Sequence, residues 1–304
     1  MVFFYPQAQM LQLILIGVIS LLVIMKSAGY MIFSISDYAH RTGLSDYLLG
    51  FVIVAICTSL PEISTAIFSS LVGRGSLVLG DVIGANIIDV TLILGLMTLF
   101  AGKMKVGGKK LFSIIYLPLA LLVFGVDGLI SRLEGIFLII FFCTYLFVII
   151  MKETGRSTFK KEVKFGEIWK DILIFGFALA ALLLASRWMV YSAISLSTQL
   201  RIPAFLMGVV VIALGTTVPE LTVGLKSVFS GARGMSFGNI FGSFATNICL
   251  VIGIAALINP IRFDTFSFYL SFAFMTLAIS TSLFFMRKKE ISWKQGVVLI
   301  GIYL

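Results

Sequence analysis

Apolar runs of about 20 residues recur along the chain and alternate with short polar segments. A helix needs about 20 residues to cross the roughly 30 Å hydrocarbon core of a bilayer. Ten runs reach or approach this length, and they begin near Gln9, Ser45, Leu77, Leu111, Gly135, Ile168, Pro203, Met235, Phe266 and Ile291. The last run has only 14 residues before the chain ends. The pattern predicts an all-α membrane protein with ten transmembrane helices.

Composition and charge narrow the class of protein further. Of 304 residues, 60% are hydrophobic and 12% are charged, which excludes a soluble globular domain. The net charge of +9 does not indicate nucleic-acid binding, because alternate loops carry sixteen and four of the lysines and arginines. Cytoplasmic loops are the ones enriched in these residues. We therefore expect a multi-pass protein of the cell membrane with both termini outside the cell.

Two segments of the chain are repeated. TSLPEIS, from Thr58, matches TTVPELT, from Thr216, and GDVIGANIIDVTLILG, from Gly80, matches GNIFGSFATNICLVIG, from Gly238. Every matched pair is separated by 158 residues, without insertion. The agreement predicts that the two halves of the protein have the same internal structure.

The repeats also suggest how the halves are arranged. Residues 1–151 and 171–304 each hold five predicted helices, and the polar segment 152–170 between them is the predicted cytoplasmic linker. The matching segments extend over about 45–101 and 203–257. Because five is odd, the second half enters the membrane from the opposite side. Inverted repeats of this kind are typical of secondary transporters, which bind their substrates between the repeats near the midplane.

A proline precedes an acidic residue within a predicted membrane helix of each half. Pro61 has no amide hydrogen, so it should interrupt the helix and free the carbonyl of Cys57, as Pro219 should free that of Gly215. The adjacent carboxylates are candidate ligands, since ionisable groups in membranes are usually functional. The residues proposed from these two segments are Glu62 and Glu220, with the hydroxyls of Thr58, Ser59, Thr216 and Thr217.

The next predicted helix of each half carries a polar face. The residues of this face are spaced by four, and they are Asp81, Ala85 and Asp89 in the first half and Asn239, Ser243 and Asn247 in the second. Glycines at 80, 84, 238 and 242 should let these helices approach their neighbours closely. All candidate ligands are oxygens, which favour Ca²⁺, Mg²⁺ or Na⁺ over zinc or copper.

These residues resemble a known family. TSLPE with GDVIGANIID, and GTTVPE with GNIFGSFATN, are similar to the α-repeats of the calcium/cation antiporter superfamily, and most similar to the sodium/calcium exchangers. The resemblance implies ten helices in two inverted five-helix repeats, and a midplane site that Na⁺ and Ca²⁺ occupy alternately. It also implies a transporter rather than an enzyme, functional as a monomer, with these ions as substrates and no cofactor.

The resemblance further implies roles for single residues. Glu62 and Glu220 would be the central calcium ligands, assisted by Thr58 and Thr216. Asp89 and Asn247 would line the middle of the cluster. The outward-side sodium site would consist of Ala213, Thr216, Ser243 and Glu220. Ala85, flanked by Ala55, Thr58 and Glu62, would stand at the inward-side sodium site.

The chain departs from the family pattern at two of these positions. The family usually has Asn in the first repeat and Asp in the second at the middle position, whereas Asp89 and Asn247 are exchanged here. Ala85 stands where the family has Ser, so one hydroxyl ligand is missing. Asp81 lies one helical turn before Ala85. We hypothesise that its carboxylate partly replaces the hydroxyl, or that fewer sodium ions bind.

Other functions are compatible with parts of the pattern. A proton-coupled calcium exchanger would typically carry GNxxE, and neither GDVIG nor GNIFG ends in Glu, so sodium coupling is favoured. The sequence also leaves open whether another cation, such as Mg²⁺ or K⁺, is the transported substrate. An ion channel would normally need several subunits around a pore. An intramembrane aspartyl protease would need a complete GxGD motif, and VLGD lacks its first glycine. Lys26, Arg187 and Lys226 lie within predicted helices, where long cationic side chains commonly extend to the membrane surface.

Overall fold

The structure is a computed structural model of the 304-residue chain. It describes residues 6–41, 54–105, 121, 123–154, 165–231, 233–287 and 290–304. Nearly all of these residues are helical.

The helices of the first half follow the apolar runs. They are α1 (Pro6–Arg41), α2 (Ala55–Thr58), α3 (Leu60–Leu71), α4 (Gly75–Ile88), α5 (Leu94–Ala101) and α6 (Arg132–Thr154). A π-helical segment, π1 (Asp89–Ile93), joins α4 to α5 without a break. The predicted fourth helix, which begins near Leu111, lies almost entirely outside the described residues, as do 42–53 at the start of the second.

The second half repeats this order of elements. It contains α7 (Phe165–Leu200), α8 (Ala204–Met207), π2 (Gly208–Ile212), α9 (Ala213–Thr216), α10 (Val218–Phe229), α11 (Arg233–Ala245), π3 (Thr246–Val251), α12 (Ile252–Ile258), α13 (Thr265–Met286) and α14 (Trp293–Tyr303). Helices α6 and α7 extend into the predicted linker, so the segment between them is shorter than 152–170.

Two short pairs of strands differ from the all-α prediction. Strand β1 (Lys103–Lys105) pairs antiparallel with β4 (Glu290–Ser292), and β2 (Leu129–Ile130) pairs antiparallel with β3 (Ile261–Arg262). The strands have two or three residues each, too few for an alternating pattern to reveal them in the sequence. Each pair joins a loop of the first half to a loop of the second.

Seven helices within the described residues are long and apolar enough to cross a membrane. They correspond to the predicted spans that begin near Gln9, Leu77, Gly135, Ile168, Pro203, Met235 and Phe266. The last predicted span appears as α14, whose 11 residues are too few to cross a bilayer. The protein is therefore a multi-pass helical membrane protein, while the total of ten helices stays a prediction.

The helices divide into an inner and an outer group. In the spans Gly75–Ala101 and Gly234–Ile258, 78% and 83% of the most apolar window is buried inside the protein. In Met10–Met31 and Arg132–Met151 the corresponding shares are 22% and 17%. The long helices α1 and α7 pack against each other. The polar faces predicted for α4 and α11 thus lie in the middle of the protein.

Close backbone contacts join the inner helices of the two halves. A methyl group at Gly80 would lie 2.0 Å from the carbonyl oxygen of Phe205, and one at Gly84 would lie 2.3 Å from that of Val209. No larger residue fits at either position without moving the backbone. The prediction that glycines 80 and 84 permit close helix packing is confirmed.

Candidate functional site

Each half contains a helix that is interrupted beside its acidic residue. Helix α2 ends at Thr58 and α3 begins at Leu60, with Pro61 in its first turn. Helix α9 ends at Thr216 and α10 begins at Val218, with Pro219 in its first turn. Proline is tolerated in a first turn because the N–H groups there have no partner within the helix. Both predicted interruptions are present.

The predicted consequence for the Cys57 carbonyl is wrong. A backbone N–H at the end of α2 donates to this oxygen, because the chain tightens into a turn at Ser59. The N–H of Ser59 donates to the carbonyl oxygen of Ala55 at 3.0 Å, and that of Thr217 donates to the carbonyl oxygen of Ala213 at 3.2 Å. The carbonyls of both alanines named in the sodium sites therefore already accept hydrogen bonds. The freed carbonyl at Gly215 stays a prediction.

The two glutamates occupy equivalent helix positions. Glu62 lies in the first turn of α3 and Glu220 in the first turn of α10. The exposed fraction of the Glu62 side chain is 0%, and that of Glu220 is 1%. The N-terminus of a helix carries a partial positive charge, which stabilises a nearby carboxylate. These termini offset part of the cost of burying two charges.

A hydrogen-bond network surrounds the second-repeat glutamate. The Ser243 hydroxyl donates to Oε1 of Glu220 at 3.2 Å. Thr58, from the other half, lies 3.3 Å from the Ser243 hydroxyl and donates to Oδ1 of Asn239 at 3.2 Å. One carboxylate oxygen of Glu220 is thus held by neutral groups of the protein. Residues predicted from both repeats meet here.

In the first repeat, the hydrogen bonds converge on Asp81 and not on the glutamate. Asp81 accepts one hydrogen bond from the Thr216 hydroxyl at 3.2 Å and another from the Thr65 hydroxyl at 3.1 Å. Ala85, equivalent to Ser243, is fully buried and has no hydroxyl to offer Glu62. The sequence reasoning missed Thr65, although its position three residues after Glu62 places both on one face of α3.

Several buried polar atoms have no hydrogen-bond partner among the described residues. They are both carboxylate oxygens of Glu62 and of Asp89, Oε2 of Glu220, the side-chain amide atoms of Asn86 and Asn247, and the hydroxyls of Ser59 and Ser70. The Thr216 hydroxyl interacts with the Glu62 carboxylate but does not reach hydrogen-bond geometry. Buried charged atoms without partners are costly, unless a cation binds them. Most of the unpartnered atoms are oxygens, which suit a hard cation.

The acidic groups are close enough to repel one another. Glu62 interacts electrostatically with Glu220 and Asp81, and Asp89 interacts with Glu220. Within the part of the chain that the structure describes, however, no three Asp, Glu, His or Cys side chains cluster tightly enough to hold a metal ion by themselves. A cation between the glutamates would therefore need neutral oxygens as additional ligands. The Thr58 and Ser243 hydroxyls are available beside Glu220.

The middle-position residues lie where the helices widen. Asp89 is the first residue of π1, and Asn247 is the second residue of π3. Both side chains are buried, at 0% and 1% exposure. π-Helical turns inside α-helices frequently occur at functional sites. No pattern in the sequence predicted these π-helical segments.

Two further predicted site residues, Ser59 and Thr217, differ in their hydrogen bonds. Ser59 is fully buried, and its hydroxyl has no partner among the described residues. The Thr217 hydroxyl donates to the Ala213 carbonyl at 2.7 Å. Among the described residues the Ser59 hydroxyl has no partner, whereas the Thr217 hydroxyl has donated its hydrogen and keeps only its oxygen lone pairs for a cation.

The chain is similar in sequence to known membrane proteins. Residues 12–151 and 170–304 match the family model described as "Sodium/calcium exchanger protein". Inner membrane protein YrbG of Escherichia coli is 31% identical over 309 residues, which cover 94% of this chain and 93% of that protein. Sodium/calcium exchanger MaX1 of Methanosarcina acetivorans is 27% identical, with 95% and 96% covered.

Solved structures share the fold. The sodium-calcium exchanger NCX_Mj, soaked with 2.5 mM Na⁺ and 10 mM Sr²⁺, superposes with a TM-score of 0.71 at 22% identity. The superposition covers 97% of this chain and 97% of that one.

Proposed function

The chain belongs to the sodium/calcium exchanger family, and we propose that it is a secondary active antiporter that exchanges Ca²⁺ for Na⁺. Exchange would proceed by alternating access to the site between Glu62 and Glu220. The ions would be substrates, and the protein would act as a transporter rather than an enzyme, without a cofactor and as a monomer.

The observation that carries the proposal is the pairing of two buried glutamates from the two halves. Each lies in the first turn of a helix that begins directly after the break in a membrane helix. Three of their four carboxylate oxygens have no partner among the described residues. A divalent cation bound between them would satisfy these oxygens and neutralise both charges.

The charges of the site support exchange rather than leak. Glu62, Asp89 and Glu220 can together carry three negative charges, and each ionised carboxylate in hydrocarbon is costly. A site without cations would be strongly charged and would cross the barrier between the two access states slowly. Na⁺ and Ca²⁺ would compete for the same oxygens, so the binding of one ion releases the other. Coupling follows without a separate device.

We also propose the finer topology predicted from the sequence: two inverted five-helix repeats, 1–151 and 171–304, joined by a cytoplasmic linker within 152–170. The strand pairs support it, because each joins two loops that the charge pattern assigns to one side of the membrane. Reporter fusions test the orientation. Alkaline phosphatase fused after Leu304 should be active outside the cytoplasmic membrane, and the same enzyme inserted at Ser157 should be inactive.

Sodium-driven calcium uptake tests the function directly. The purified protein would be reconstituted into Na⁺-loaded liposomes, and ⁴⁵Ca²⁺ uptake would be measured after dilution into sodium-free medium. We expect uptake by the wild-type protein and none by Glu62→Gln or Glu220→Gln. The matched control is Glu290→Gln, because Glu290 is exposed in β4, away from the site. It should transport normally.

Replacing the gradient separates the alternatives. A channel would take up ⁴⁵Ca²⁺ without any ion inside the liposomes. A proton-coupled exchanger would respond to an acidic interior without sodium, and a potassium-coupled one to internal K⁺. Uptake by wild-type protein that is independent of internal Na⁺ would overturn sodium coupling. Uptake that persists in both glutamate variants would overturn the assignment of the site.

A further inference from the structure

A groove of about 720 Å³ runs between helices α3 and α7 on the outside of the protein. Its walls are mainly apolar, but it contains two arginines. The residues that matter for its chemistry are Leu71, Val72, Arg74, Arg187, Tyr191 and Ser195. Leu71, Val72 and Tyr191 are all more than half exposed, at 64%, 59% and 53%, so the groove opens toward the lipid.

The two helices run in the same direction along the groove. The Ser64 hydroxyl of α3 donates to the Ser186 hydroxyl of α7 at the buried end of the contact. From there, both helices continue toward the surface loop that contains Arg74. This loop follows the last turn of α3. Arg187 therefore lies near the deep end of the groove, and Arg74 lies near its mouth. A long, narrow ligand would contact both.

The charge of the groove is uncompensated. No acidic residue is among those that line it. Among the described residues, neither arginine forms an ion pair or a side-chain hydrogen bond. Arg187 lies inside the membrane-spanning range Trp169–Leu200, where an isolated cation is costly. Extension of the side chain toward the surface reduces this cost, and an anion in the groove would reduce it further.

We propose that this groove binds an anionic phospholipid, with the headgroup phosphate at Arg74 near the mouth and the Arg187 side chain extended along the groove toward it. Guanidinium groups bind phosphate through paired hydrogen bonds. The exposed apolar walls beside Leu71 and Val72 would contact an acyl chain, which a free phosphate ion lacks. The chemistry therefore selects a lipid rather than a soluble anion, and the assignment does not depend on which ions the protein transports.

Native mass spectrometry of delipidated protein tests the proposal. The protein would be titrated with phosphatidylglycerol, with phosphatidylcholine and with inorganic phosphate. We expect the Arg74→Gln/Arg187→Gln variant to bind phosphatidylglycerol about tenfold more weakly than the wild type, which corresponds to about 1.4 kcal/mol. Arg74→Lys/Arg187→Lys should retain part of the affinity, because it keeps both charges. Phosphatidylcholine should bind both proteins equally weakly.

The controls separate a specific site from general charge. Arg262→Gln removes an exposed arginine from β3, outside the groove, and should bind phosphatidylglycerol like the wild type. If the double variant does not fold, Arg74→Gln alone, at an exposed loop position, should still weaken binding. Equal affinity of the wild-type and variant proteins for phosphatidylglycerol would overturn the proposal. Displacement of this lipid by millimolar inorganic phosphate would overturn the lipid assignment in favour of a soluble anion.

Discussion

The two repeats surround their glutamates in different ways. Glu220 has one oxygen held by the Ser243 hydroxyl at 3.2 Å. Glu62 has no hydrogen-bond partner among the described residues, because Ala85 replaces the equivalent serine. The first repeat has a further carboxylate, Asp81, one helical turn before Ala85. The second repeat has Asn239 at the equivalent position.

The difference indicates that the two repeats would contribute unequally to the proposed site. The first contributes three acidic side chains, Glu62, Asp81 and Asp89, and the second contributes only Glu220. Hydroxyl donors, by contrast, satisfy Glu220 better than they satisfy Glu62. The first repeat should therefore depend more on bound cations. Each prediction below makes the repeats more alike or exchanges their roles.

The largest effect is expected from Asp89→Asn, which gives both repeats an amide at the middle position. Sodium-driven ⁴⁵Ca²⁺ uptake should fall about 100-fold, because about 3 kcal/mol of charge-assisted binding would be lost. Asp89→Asn/Asn247→Asp returns the carboxylate on the opposite repeat and should restore most of the uptake. An unchanged rate in the single variant would mean that Asp89 does not contact the transported ions.

Asp81→Asn is expected to have the next largest effect. It gives the first repeat the amide that the second has at Asn239, and it removes the negative charge and one of the two oxygens that accept hydrogen bonds from Thr65 and Thr216. The sodium concentration for half-maximal calcium release should rise about tenfold, and the Hill coefficient for sodium should fall, if the carboxylate replaces the missing hydroxyl. Asp127→Asn, at an exposed loop residue, is the control. Unaltered sodium dependence in Asp81→Asn would show that the residue has no compensating role.

A smaller effect of opposite sign is expected from Ala85→Ser. The new hydroxyl would stand beside Glu62 as Ser243 stands beside Glu220. One hydrogen bond worth about 1 kcal/mol would lower the sodium concentration for half-maximal exchange about fivefold. Ser243→Ala should shift it the other way. If both variants shift the sodium dependence in the same direction, the comparison between the repeats is wrong.

The smallest effect is expected from Thr65→Val, which copies Val223 of the second repeat. The Asp81 carboxylate would lose one hydrogen bond but keep the one from Thr216. Exchange should slow about threefold, since a second donor remains. Val223→Thr adds a hydroxyl where no carboxylate corresponds to Asp81, so its rate should match the wild type. A rise of about tenfold in the sodium concentration for half-maximal release, as expected for Asp81→Asn, would indicate that Thr65 contacts the ions directly.

Much of the site could be predicted from the sequence because the repeat is ungapped. The separation of 158 residues identified both interrupted helices and the polar faces of α4 and α11. Helix periodicity was sufficient to place Asp81, Ala85 and Asp89 on one face. Seven of the predicted spans were found as well, since long apolar runs reflect a single physical requirement.

The partners of these side chains could not be predicted. Asp81 bonds to Thr216 across 135 residues of chain, and such contacts depend on how the halves pack. The Cys57 carbonyl was wrongly expected to be free, because a proline in a first turn permits a tight turn before it as readily as a bend. The π-helical segments add backbone width that side-chain patterns do not encode.

The glycine contacts of α4 constrain how the protein can move. At Gly80 and Gly84 its main chain touches α8 and π2 of the other half directly. Shear between helices usually proceeds by small adjustments of the side chains between them, and at these two contacts main chain meets main chain. Helix α4 should therefore stay fixed against α8 and π2 of the other half, and any movement that admits ions to the proposed site should take place between other helices.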